Sequence, residues 1–197
     1  MTTPRIRDAG DSAIIVELGE GIDEAVNARA VAMATYLRAA ALAGVRDVIP
    51  TFRSVAVFFD PQRVALDDLK ARVLAAPPGG VDVAARPAID VPVEYGGEAG
   101  PDLDAVAAAS GLSAAEVIAR HTAPAYRVFM VGFLPGFAYL GGVNPSIAAP
   151  RHASPRPRVA AGSVGIAGRQ TGVYPQASPG GWQIIGRTAT RFFDAGR

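Results

Sequence analysis

Two rhythms of apolar and polar positions run along this chain. Residues 5–7 and 12–18 (SAIIVEL) are short apolar stretches separated by polar residues at Asp8–Asp11, which predicts two strands joined by a turn. Between 23 and 43 the period lengthens. Val26, Ala30, Met33, Ala34 and Leu37 recur at helical spacing, and Gly44 supplies a stop. VRDVIP and SVAVFFD then read as two more strands about a TFRS turn, and Leu66–Ala75 as a second amphipathic helix. The order strand, strand, helix, strand, strand, helix packs most economically as an antiparallel sheet with both helices on one face.

PPGG at 77–80 blocks the helix before it and loosens the chain after it, so it marks a domain boundary. Beyond it RPAIDVPVEY reads as a strand, with Pro92 at an edge or bulge. Leu103–Ser110 and Ala114–His121 read as helices, the second opened by a capping box of Ser113 and Glu116. AYRVFMVGF is a strong strand. SVGIAG, GVYP and GWQIIG are short strand-like pieces divided by glycine and proline, the pattern of a small barrel or sandwich. The expected fold is α+β: a small α/β sandwich domain over 1–80 and a β-barrel domain over 81–197.

Composition narrows the function. Half of the 197 residues are hydrophobic and 19% are charged, enough for a buried core. A net charge of +1 gives no field of one sign toward nucleic acid or an anionic membrane. Cysteine is absent, which removes disulfides, thiolate metal sites and a thiol nucleophile. MTTPRIRDAGDS lacks the apolar core of a signal peptide, and no apolar run reaches membrane-spanning length, so a cytoplasmic protein is expected. There is no phosphate loop of the GxxxxGK[ST] type, and Gly162, Gly165 and Gly168 precede no helix pattern. The two histidines, His121 and His152, stand in no spaced cluster with carboxylates, so no metal site is expected.

Three stretches carry candidate chemistry. VGFLPGFAYLG (131–141) crowds Phe133, Phe137 and Tyr139 around Pro135 and its flanking glycines, too apolar for an ordinary loop. PRHASPRPR (150–158) sets Arg151, Arg156 and Arg158 on a proline-stiffened backbone, which suits an anion. QTGVYPQASPGGWQIIGRT places Gln170, Tyr174, Ser178 and Trp182, each with a hydrogen-bonding tip, among turns.

HTAPAYRVFMVGFLPGFAYLGG and PRHASPRPRVAAGSVGIAGRQTGVYPQASPGGWQIIGRT closely resemble the allophanate hydrolase subunit 1 / Kip inhibitor family. RIRDAGDSAIIVELG matches its opening more loosely. The resemblance implies a cyclophilin-like barrel for the second domain. Members of the family continue past GRT to a proline-glycine-aspartate turn and a last strand. This sequence stops at Arg197, so that strand is expected to be missing.

The function implied is a subunit of an ATP-dependent complex that opens 5-oxoproline to glutamate, inactive alone. ATP, with Mg²⁺ by implication, is the cofactor. The partners implied are a second cyclophilin-like subunit of the allophanate hydrolase subunit 2 type and a third 5-oxoprolinase subunit. A kinase-inhibiting regulator and a urea- or allophanate-metabolising subunit are the alternatives. The expected site places Arg151 and Arg156 on a carboxylate or phosphate. Gln170, Tyr174 and Ser178 orient the amide, Trp182 forms the wall, and His121 moves the proton, with His152 as its alternative. Phe133, Pro135, Phe137 and Tyr139 shape an apolar groove or partner surface.

Overall fold

The computed structural model describes residues 4–76, 88–194 and 196. The chain divides into two compact units, 1–86 and 87–197. The predicted boundary at 77–80 lies outside the described residues.

In the first unit, β1 (Arg5–Asp8), β2 (Ala13–Glu17), β3 (Val45–Pro50) and β4 (Ser54–Phe59) form an antiparallel sheet in the order β1-β2-β4-β3. Alternation puts Ile14 and Val16 of β2 and Val55, Val57 and Phe59 of β4 on one face. Helices α1 (Glu24–Ala39) and α2 (Leu66–Leu74) cover that face with Ala30, Met33, Ala34, Leu37, Leu69 and Val73. Asp23 caps α1 by accepting from the Val26 amide at 2.8 Å. The helix ends before Gly44. Ala40 is its C-cap, Ala41 turns left-handed at φ 44°, and Gly44 at φ 87° leads into β3.

The second unit holds β5 (Glu94–Tyr95), α3 (Leu103–Ser110), α4 (Ala114–Thr122), β6 (Arg127–Val131) and β7 (Ala138–Gly141). These are followed by β8 (Arg156–Val159), β9 (Ser163–Ala167), β10 (Gln170–Val173), β11 (Ser178–Gly180) and β12 (Gln183–Arg187). Six strands pair in the order β5-β12-β9-β10-β7-β6, and β8 pairs separately with β11. All the pairings are antiparallel.

The larger sheet has two different faces. Val164, Ile166, Val173 and Ile185 pack with Leu103 and Val106 of α3 and Val117 of α4. The opposite face carries Ala167, Ile184 and Trp182 with Phe137 and Tyr174. Gly165 and Gly172 open room on that second face. A Cβ at Gly172 would stand 3.2 Å from the Phe137 ring and 3.4 Å from the Trp182 ring.

Several expectations need correction. Pairing does not close a barrel among the described residues, because β5 and β6 are left as the two edges of the six-stranded sheet. RPAIDVPVEY contributes only Glu94–Tyr95 to a ladder; its first two residues lie outside the described residues. Pro92 lacks the N–H that would extend that ladder. AYLG is strand β7, and the last three residues of PRHASPRPR, 156–158, open strand β8. In both cases glycine and proline read as punctuation, although pairing partners lay elsewhere in the chain.

Candidate functional site

VGFLPGFAYLG is the β6–β7 hairpin. Leu134 to Phe137 form a turn closed by the Phe137 amide on the Leu134 carbonyl at 3.0 Å, with Pro135 preset for its second position and Gly136 at φ 80° in its third. Before the turn, Phe133 takes φ 69°, in the left-handed region, and leaves its ring 58% exposed. Across the hairpin Phe137 is buried at the centre of an aromatic group. Its ring centroid lies 4.8 Å from Tyr139, 5.3 Å from Tyr174, 5.4 Å from Trp182 and 5.5 Å from Phe133, all edge-on. Edge-to-face contacts of this kind match the positive ring edge to the negative face.

Arg151 borders this group. Its guanidinium carbon lies 6.0 Å from the Trp182 ring centroid, and the residue is exposed. Burial raises the Tyr139 hydroxyl above its ordinary value, while the Arg151 charge pulls it down. Tyr174 is raised by burial too, against the Trp182 backbone and the charges of Arg151 and Arg156. The result is an aromatic patch with one cation at its rim and tyrosines held as neutral phenols.

Beside it stands a polar relay that begins at the N-terminus of α3. Asp102 accepts from Arg156 Nη1 at 2.8 Å and Nη2 at 2.6 Å, and from the Ile184 amide at 2.6 Å. His152 Nε2 lies 3.2 Å from the same carboxylate and 2.8 Å from Arg156 Nη1. Burial pushes the Asp102 carboxyl upward. The bonds from Arg156, Ile184 and His152 outweigh that and hold it below the usual aspartate value. The His152 amide donates to the Gly181 carbonyl at 2.7 Å, tying the arginine segment to the glycines before Trp182.

His121 is elsewhere, on the helix-covered face. Thr171 Oγ1 donates its proton to the Gly165 carbonyl at 2.9 Å, so at 2.9 Å from His121 Nε2 it must accept. The imidazole proton is therefore on Nε2, and Nδ1 accepts from the Tyr95 hydroxyl at 2.8 Å. Burial lowers the His121 pKa to about 4 and raises the Tyr95 and Tyr126 hydroxyls to about 12. The ring is neutral and closed off, so it places no positive charge at the end of α4. Its backbone carbonyl accepts from Tyr126 at 2.8 Å.

The structure thus brings Arg151, Trp182, Tyr174, Phe133, Phe137 and Tyr139 together and leaves His121 outside. Tyr174 and Trp182 are buried wall. Ser178 is buried and donates to the Pro179 carbonyl at 3.1 Å. Pro135 shapes the hairpin turn. Gln170 is half-buried on β10 opposite Ala167, which puts it on the aromatic face of the sheet. Arg156 is an ion-pair partner of Asp102, so two of its guanidinium nitrogens already hold a carboxylate. Asp102 escaped sequence reasoning because an aspartate just before a helix reads as a cap; here the side chain caps nothing. Among the described residues no three His, Asp or Glu side chains converge as a metal ligand set. No helix there is long and apolar enough to cross a membrane.

The family model described as carboxyltransferase domain, subdomain C and D, matches residues 4–197, and the chain belongs to that family. It is 46% identical over 202 residues to the B-type subunit of 5-oxoprolinase from Bacillus subtilis (strain 168), covering 96% of this chain and 84% of that protein. It is 40% identical over 189 residues to the B-type subunit of 5-oxoprolinase from Escherichia coli O157:H7, covering 95% and 86%. Among solved structures it is similar to TTHA0988, with 36% identity and a TM-score of 0.81. That match covers 98% of this chain and 37% of the other, so this chain spans just over a third of that one.

Proposed function

We propose that this chain is the B-type subunit of a 5-oxoprolinase complex, hydrolysing 5-oxoproline to glutamate together with its other subunits and ATP. The observation that carries the reading is the near-complete overlap with two relatives of that name, at 46% and 40% identity. The geometry supports it. 5-Oxoproline is a small ring with one carboxylate and one amide. Arg151 is the rim cation, with no carboxylate partner among the described residues, and it takes the carboxylate. Trp182 and Phe137 form the apolar wall, and Tyr139 and Gln170 orient the amide.

The glycine-bearing segment between β5 and α3, with Gly96, Gly97 and Gly100, lacks the lysine and hydroxyl residue of a phosphate loop. ATP is therefore assigned to no residue of this chain, and no step is routed through it. The partner contact is placed on edge strand β6, where Val128 and Val131 are exposed beside Phe133. The partners proposed are a subunit of the allophanate hydrolase subunit 2 type and a third subunit.

Reconstitution tests the reading. The chain is combined with its neighbouring gene products, and ATP turnover is measured with 5-oxoproline, urea and allophanate in parallel. Turnover is expected with 5-oxoproline only, and none from the chain alone. Preference for urea or allophanate overturns the substrate. Cleavage by the isolated chain overturns the subunit role.

A further inference from the structure

His152 is held in a way that ordinary packing does not require. Asp102 occupies the N-cap position of α3 yet makes no capping bond to its own helix. Its carboxylate is spent on Arg156, the Ile184 amide and the His152 ring. Nε2 of His152 has a partner in either charge state. In the neutral ring with its proton on Nδ1, Nε2 accepts from Arg156 Nη1 at 2.8 Å. In the charged ring, Nε2–H donates to Asp102 Oδ2 at 3.2 Å. The other nitrogen, Nδ1, bonds to no described residue, and the side chain is 29% exposed. One edge of the imidazole is anchored and the other is open, next in sequence to Arg151 at the aromatic rim.

We propose that His152 donates the proton to the amide nitrogen that leaves when the ring opens, with Asp102 and Arg156 as its positioning residues. The assignment rests on the functional reading for the identity of the amide. The charged ring keeps Nε2–H on Asp102 and presents Nδ1–H outward. Water adds to the ring carbonyl carbon; as the carbonyl re-forms and the C–N bond breaks, the C–N electron pair passes to nitrogen, which takes the Nδ1 proton. The ring is left neutral, its remaining proton on Nε2 and still directed at Asp102. The proton given up by the added water returns to Nδ1. The charges that face the ring are Asp102 from the start of α3, Arg156 from β8 and Arg151 from the preceding position.

Two variants test this in the reconstituted complex. His152→Gln is expected to lower kcat by about a hundredfold or more, with KM within about twofold. It is also expected to abolish the alkaline limb of the pH–rate profile, where the wild type loses its proton donor. Asp102→Asn keeps the imidazole but removes the carboxylate that anchors its Nε2, so the limb is expected to shift. Thermal unfolding of each variant separates this from a loss of fold, because a merely structural role lowers stability and leaves the limb in place. The isolated chain supplies a second readout by NMR of its two histidine rings. The pH response of the His152 signals is expected to change in Asp102→Asn, and that of His121 is not. An assembled His152→Gln complex with wild-type rate and pH limb overturns the proposal, and an unaltered His152 response in Asp102→Asn overturns the positioning role. A wild-type complex that turns over urea or allophanate instead overturns the substrate reading alone, and the same variants on that amide decide the role of His152.

Discussion

The carboxylate of Asp102 and the guanidinium of Arg156 meet through two parallel hydrogen bonds, of 2.8 and 2.6 Å, across 54 positions of sequence. The pair joins the start of α3 to strand β8, and the Ile184 amide adds β12 to the same joint. Asp102→Ala would strand a guanidinium and a buried amide together. The expected loss is about 2–3 kcal/mol, less than for a fully buried pair because solvent reaches Arg156. Urea unfolding of wild type and variant at pH 7 measures it; a difference under about 0.5 kcal/mol contradicts the joint. Asp102 has a depressed folded-state pKa, so its contribution stands above the ordinary aspartate range and disappears as pH falls through the depressed value.

His121 gives the fold a second acid sensitivity. The unfolded ring takes a proton near its ordinary value of 6.5, the folded ring only near 4. Between those values the unfolded chain binds more protons, so stability drops as pH falls through the window, by about 3 kcal/mol in all. Denaturant titrations at pH 7, 6, 5 and 4 follow the drop. A His121→Asn variant, starting from lower stability, should show a flatter profile. Parallel slopes for the two proteins would rule the account out.

Gly172 tests the packing of the aromatic face. Its absent side chain leaves room for the Phe137 and Trp182 rings, and a Cβ there would also come 2.9 Å from the Ala138 carbonyl oxygen. Gly172→Ala is expected to cost about 1–3 kcal/mol by overpacking. The near-ultraviolet circular dichroism should change as well, because the one tryptophan of the chain is among the rings displaced. An unchanged spectrum and midpoint would mean that the face is loosely packed.

Arg151 separates binding from folding. Its guanidinium is exposed and stacks on Trp182 without a carboxylate partner among the described residues, so Arg151→Ala should alter unfolding by less than about 1 kcal/mol. In the reconstituted complex the same change removes a charged partner of the substrate carboxylate. A loss of about 1.5–3 kcal/mol, roughly ten- to a hundredfold, is expected in kcat/KM, mostly through KM. An unchanged KM for 5-oxoproline sinks the assignment.

The first unit was legible because its signals are local. Period-two strands, a period-3.6 helix and a four-residue turn at Thr51–Ser54 all declare themselves within a few residues. The Ser113–Glu116 capping box is legible for the same reason, with both reciprocal bonds present. The second unit was less legible because its short strands depend on distant partners. β5 is two residues long and is defined by pairing with β12, over 90 positions later. The aromatic residues and Arg151 stood out by type. Their neighbour Asp102 did not, since its partners lie 50 to 82 positions away and its local context imitates a cap. His121 stood out for the wrong feature: titratable type drew attention, while the burial that silences it comes from Tyr95 and Thr171 in other elements.

Phe133 holds its backbone at φ 69°, a geometry in which glycine rests without strain and a bulky side chain costs on the order of 1 kcal/mol or more. Its ring recovers little of that by burial, being mostly in solvent. Folding alone would choose glycine at this position, and Phe133→Gly should relax the hairpin backbone. The proposed partner contact beside Phe133 predicts that a selection for heat resistance accepts that change and a selection for assembly rejects it. The position therefore separates the two pressures with a single codon.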